Sequence, residues 1–166
     1  MTQQLTQRVT QRGTPMVESQ ALQLVLRSSQ LAEQLSSHVT TVLKAKGYTT
    51  VSPAMLTFLS TLECGINYGS DIARSLGVSR QMVAKTVKGL CADGYLEQVD
   101  DVGKRKQILF TELGEQLMAD SRQVLADLDG TLSEHLSEDL LITTTQGIQD
   151  IHEVLTTLDA PLDART

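Results

Sequence analysis

Between about residues 17 and 46, apolar side chains recur every three to four positions, at Ala21, Leu24, Leu31, Leu35, Val39 and Val42. That spacing predicts an amphipathic helix, which Gly47 closes. A helix this long in a small domain commonly packs against another chain. Ahead of it, residues 1–15 are rich in Gln and Thr and show no periodic face, so they predict a flexible arm ending at Pro15. Ser52-Pro53 opens a second helix, because serine caps free backbone N–H groups and proline at the first helical position loses no hydrogen bond. Val51 can staple onto Leu56 across that cap. This helix runs to about Glu63 and gives way to a loop with Gly65 and Asn67.

The pattern then shortens. A brief helix is expected from Ser70 to Leu76, a turn at Gly77, and a further helix from Val78-Ser79 to Asp93-Gly94. Tyr95–Val99 and Gln107–Phe110 read as strands around a polar turn, Asp100–Lys106, that contains Gly103. Thr111 can cap a helix carrying Leu113, Leu117, Val124, Leu128 and Leu132. Ser137-Glu-Asp can cap a last one carrying Leu141, Ile148, Ile151, Leu155 and Leu158. All five aromatics, Tyr48, Phe58, Tyr68, Tyr95 and Phe110, fall between residues 48 and 110. The flanking helices are therefore aliphatic, as in coiled-coil seams. The fold class expected is mainly α with a small β wing: residues 16–166 as one domain, an inner lobe at 52–111, and long helices at 17–46 and 112–158 that dimerise.

Ile72 to Val83 follows helix–turn–helix logic. Ala73 is small where two helices cross, Gly77 supplies a turn whose positive φ is cheap only for glycine, and Val78 and Val83 plug the space between the helices. At about 100° per residue, Val83, Val87 and Leu90 share one face of the second helix, and Gln81, Lys85 and Lys88 share the opposite one. Such a helix suits the major groove, where Gln pairs with adenine and Lys reaches guanine or phosphate. Ser79 and Arg80 flank the reading face at the helix start, which itself favours a phosphate. Beyond it, Lys104, Arg105 and Lys106 place three consecutive cations on the hairpin turn, where Arg is drawn into a minor groove. Together these pieces make a winged helix–turn–helix.

Charge changes this picture only in its distribution. The net charge of −6 argues against a nucleic-acid partner, but residues 107–166 hold twelve acidic and two basic groups, whereas residues 70–106 hold seven basic and five acidic. A local basic face binds phosphates despite an acidic total.

From Ser52 to Gly114 the chain resembles the MarR family of bacterial transcriptional regulators, through "SPAMLTFLSTL", "DIARSLGVSRQMVAKTVKGLCADGYLEQ" and "ILFTELG". The long flanking helices, in the family's order, extend the resemblance to nearly the whole chain. It implies a homodimeric repressor that binds a pseudo-palindromic operator in double-stranded DNA. It also implies a small aromatic or phenolic effector between the dimerisation helices and the DNA-binding lobe, with Phe58 and Tyr68 as the stacking residues. The wing departs from the family's Asp-x-Arg: the offset from Ile108-Leu-Phe-Thr111 puts Val102 at the Asp and Lys104 at the Arg. Asp100 or Asp101 with Arg105 is the other assignment, and both stay open.

Other chemistries find little support. The chain holds no GxGxxG, HExxH, GxSxG or CxxC, so neither an enzyme nor a cofactor is expected. His38 lies near the seam of the first helix as an interfacial histidine. Glu134, His135 and Glu138, or Asp150, His152 and Glu153, offer imidazole and carboxylate to a divalent ion, but are expected simply to decorate helix faces. Cys64 and Cys91 are expected as small buried hydrophobes. A thiol switch is disfavoured because both sit at helix C-terminal ends. No apolar run approaches the roughly 18 residues of a membrane span, and the polar start carries no signal-like apolar region, so the expectation is a cytoplasmic protein. A metal- or thiol-responsive regulator is one alternative to the ligand-released repressor; a winged helix used only to bind protein is another.

Overall fold

The computed structural model describes residues 19–100 and 106–159. The N-terminal arm, and Lys104 and Arg105 in the wing, lie outside the described residues. Along these, six helices and one hairpin follow in the order α1 (Gln20–Ala45), α2 (Pro53–Glu63), α3 (Gly69–Leu76), α4 (Arg80–Ala92), β1 (Leu96–Asp100), β2 (Lys106–Phe110), α5 (Glu112–Leu136) and α6 (Glu138–Asp159). The mainly helical fold with a small β wing is as the periodicity predicts.

Local signals account for most boundaries. Ser19, Ser52, Ser79 and Thr111 each accept a backbone N–H from three residues ahead, capping α1, α2, α4 and α5. The last helix starts differently from expectation. Ser137 takes φ +71°, and its backbone carbonyl, rather than a hydroxyl cap, receives the Leu141 N–H. It ends α5 in the left-handed region where a glycine is usual. The strands also reach further than their apolar residues suggest. Asp100 and Lys106 face each other as the outermost pair of an antiparallel ladder, so Lys106 belongs to β2 and not to the turn. Tyr68 bridges to Gln107, and Ile108 N–H donates to the Asn67 carbonyl at 2.9 Å, giving the hairpin a short third edge.

The core gathers Val39 and Leu43 of α1, Phe58 and Leu59 of α2, Ile72 of α3, Val83, Val87 and Leu90 of α4, Ile108 of β2, and Leu117 and Val124 of α5. The start of α5 fixes the wing against this core. Thr111 donates its hydroxyl proton to the Gly94 carbonyl at 2.5 Å and its N–H to the Tyr95 carbonyl at 3.1 Å. One turn on, Gly114 packs so closely that a Cβ there would collide with the Tyr95 carbonyl and the Phe110 ring. Further along, Asp120 accepts a 2.5 Å hydrogen bond from the Tyr48 hydroxyl and a 3.1 Å one from Lys46, tying α5 to the end of α1. Burial and the bond to Asp120 push the Tyr48 hydroxyl up to about 12, while that same bond, followed by Lys46, holds Asp120 below the usual carboxylate range. Arg122 pairs with Glu63 of α2 at 3.2 Å.

Burial is uneven. In α1, no side chain before Val39 is buried, and Leu22, Leu24, Val25, Leu26 and Leu31 are exposed. In α6, no described side chain is buried. Ile148 and Leu155 lie seven residues apart, as do Ile151 and Leu158, and these four are 39–63% exposed. That is a heptad seam left uncovered by the described residues.

Candidate nucleic-acid interface

Gly77, at φ +64°, ends α3 in the left-handed conformation and turns the chain into α4. Ala73 is buried at the crossing, and Val78 packs half-buried against the core. With Val83, Val87 and Leu90 buried beneath α4, helical geometry puts Gln81, Lys85 and Lys88 on the side turned to solvent, and all three are exposed. Ser79 and Arg80 are exposed at its first turn, where the Ser79 hydroxyl accepts the Met82 N–H at 3.2 Å. The structure therefore gathers these five residues on one surface. Met82, 56% exposed beside Gln81, is an apolar member of that surface that a search for polar contacts passes over.

Lys106 is exposed at the open end of the ladder. Its alternation with the buried Ile108 turns it toward α4, and Gln98, paired with Ile108 in register, shares that side. A cleft of about 340 Å³ runs between the two elements, with Arg80, Ala84 and Val87 on one wall and Gln98, Lys106 and Ile108 on the other. The sequence does hold a signal for Gln98, which stands two residues after the inward-facing Leu96.

Neither Phe58 nor Tyr68 lines the cleft beside α4. Phe58 is buried in the core, and Tyr68 caps the head of α3 against β2. A second cleft, about 380 Å³, opens instead between α2, β2 and α5, where Leu62, Phe110 and Met118 lie beside Glu63, Glu115 and Arg122.

The cysteines depart from expectation. Cys64 is exposed, because as the C-cap of α2 it follows the last buried turn, and Cys91 is half-buried. Burial, then the charge of Glu97, pushes the Cys91 thiol up, the direction that disfavours a thiolate. His38, His135 and His152 are exposed, and His135 bonds through Nδ1 to the Thr131 carbonyl one turn back. Among the described residues no three His, Cys, Asp or Glu groups gather as a metal site would require. No described helix is long and apolar enough to cross a membrane.

A helix–turn–helix backed by a hairpin and framed by long helices is a winged-helix architecture. Among solved structures it is that of the MarR-family regulators. Apo wild-type MarR from E. coli superposes with a TM-score of 0.65 at 15% identity, over 82% of this chain and 98% of that one. A MarR transcriptional regulator from Methanosarcina mazei Go1 gives 0.66 at 13% identity, over 86% and 94%. A mutant of S. aureus MepR bound to an oligodeoxyribonucleotide gives 0.56 at 19% identity, over 86% and all of that chain. No family sequence model matches the chain. No curated protein matches it either. The likeness is one of fold, and it extends through the flanking helices as well as the winged lobe.

Proposed function

We propose that the chain is a dimeric, sequence-specific DNA-binding transcriptional regulator, a cytoplasmic repressor released by a small-molecule effector. The observation that carries this reading is the solvent face of α4, where Gln81, Lys85 and Lys88 stand exposed above a buried Val83, Val87 and Leu90, in a fold that a solved relative presents bound to an oligodeoxyribonucleotide. In this reading α4 enters the major groove. Gln81 reads adenine; Ser79, Arg80, Lys85 and Lys88 hold bases and phosphates; and Lys104, Arg105 and Lys106 carry the wing to the neighbouring minor groove. The unpartnered seam of α6, with the exposed half of α1, takes a second copy, so the operator is a pseudo-palindrome with half-sites centred about 10 base pairs apart or a multiple of that. The cleft between α2, β2 and α5 receives the effector. A phenolate or aromatic carboxylate there would take Arg122 from Glu63 and loosen α5 from the lobe beneath it.

A gel shift on the DNA upstream of the gene tests this reading. Binding should fall steeply with salt, because phosphate neutralisation releases counterions. Gln81→Ala should change the consensus selected from random DNA, a bidentate contact being worth about 1–3 kcal/mol of discrimination. An unshifted or salt-insensitive complex would leave the lobe as a protein-binding module.

A further inference from the structure

We infer that the cleft between α4 and the wing seats one backbone phosphate of the DNA, held by Arg80 and Lys106 with Gln98 as a neutral donor beside them; this rests on the DNA-binding reading above. Arg80, Ala84 and Val87 each precede by one residue a member of the reading face, Gln81, Lys85 and Lys88, and so occupy the flank about 100° away, the flank that looks onto the wing. The opposite wall comes from the side of the hairpin that carries the buried Ile108, and Gln98 and Lys106 are the polar residues there. A helix in a major groove and a wing in the next minor groove must straddle the sugar–phosphate backbone that separates the grooves. The cleft is the space between those two elements, so that backbone has to run along it.

The chemistry of the walls fits this passenger. The two cations stand on opposite walls, beside Val87 on one and Ile108 on the other, and low-dielectric walls strengthen attraction for an anion. Among the described residues that line the cleft there is no carboxylate; Asp100 stands opposite Lys106 in the ladder, at the rim. A volume of about 340 Å³ leaves room for a phosphodiester and its sugars, and the open shape admits a continuous strand. Gln98 is exposed and supplies an amide N–H without adding charge. The seat makes Gln98 a positioning contact that fixes the lobe on the duplex without reading sequence.

Methylphosphonate scanning tests the seat, using the full chain and an operator selected by the wild type, with one phosphate at a time made neutral. One position per half-site, between the bases read by α4 and the flanking minor groove, should weaken the wild type about 10-fold, and in Arg80→Ala it should become no more sensitive than its neighbours. Gln98→Glu should weaken binding to every sequence by about 10-fold with the same consensus, while Gln98→Lys should tighten it and steepen the salt dependence by about one counterion. A gain from Gln98→Lys cannot arise from misfolding. Wild type that binds no duplex overturns the DNA reading and the seat with it. Wild type that binds, with no phosphate coupled to Arg80 and no response to either charge at Gln98, overturns the seat alone.

Discussion

The winged lobe and the paired outer helices of this chain have the same kind of sequence, amphipathic segments with regular apolar faces, and opposite fates. In the lobe every such face closes on another: α4 lays Val83, Val87 and Leu90 onto the core, and β2 adds Ile108 from the far side. In α6 an equally regular face, Ile148, Ile151, Leu155 and Leu158, stays exposed among the described residues, and the first half of α1 repeats this with Leu24 and Leu31. Apolar area left in water costs about 25 cal/mol per Å², so a regular period without burial favours the proposed partner of the same kind. The difference separates two sources of stability. The lobe is held by its own fold; in the dimeric reading proposed above, the outer helices are held by association. α5 joins them, with Leu117 in the core and Leu136 exposed.

The comparison breaks most readily at the seam. Ile151→Asp with Leu155→Asp should weaken self-association by about a thousandfold, roughly 4 kcal/mol, as buried aliphatics become charges. Light scattering should then show a monomer at concentrations where the wild type is a dimer, with the lobe still folded by amide exchange. A wild type that is itself monomeric and folded at micromolar concentration would remove the basis of the contrast.

Gly114→Ala attacks the lobe alone. The added methyl meets the Tyr95 carbonyl, part of the backbone and unable to yield cheaply, so a loss of about 3 kcal/mol is expected. Urea unfolding followed at several protein concentrations should show that this loss, unlike the one at the seam, does not depend on concentration. Thr111→Val is a milder version of the same test. It removes the cap of α5 and the bond to the Gly94 carbonyl together, for about 1.5 kcal/mol, and should leave self-association unchanged.

The smallest effect lies where the two regions meet. Tyr48→Phe should cost about 1 kcal/mol near neutral pH by removing the bond to Asp120. Its signature is in the pH dependence. The raised Tyr48 value means that this group's contribution is complete below pH 10 and lost as pH climbs through about 12. The lowered Asp120 value means that its contribution is present above the usual carboxylate range and lost as pH falls through its own depressed value. Thermal melts across both limbs should show Tyr48→Phe with a shallower alkaline limb and a weakened acid one. Parallel curves for variant and wild type would show that the α1–α5 tie does not stabilise the fold.

Much of this molecule could be read along the chain, because the forces that write local structure act over three or four residues. Ser52, Ser79 and Thr111 cap helices where a hydroxyl stands before an apolar period, Gly77 turns where a positive φ is needed, and Gln81, Lys85 and Lys88 come to the front because Val83, Val87 and Leu90 must go to the back. The failures share a different cause. Ser137 looks like a hydroxyl cap, but it sits at the α5–α6 junction with φ +71° and its carbonyl takes the Leu141 N–H. Cys64 looks apolar enough to bury, yet the helix that carries it has already ended.

By itself, then, the sequence determined which segments are helices, which face of each is apolar, and where the winged helix–turn–helix lies, since periodicity and capping are properties of neighbours. Only the tertiary structure decided which faces find partners inside the chain. It set Gln98 and Lys106 across a cleft from Arg80, pressed Gly114 onto the Tyr95 carbonyl, and joined Tyr48 to Asp120 across 72 positions of sequence. Those contacts depend on the distance and angle between whole elements, which the burial of the shared core fixes and no local pattern records.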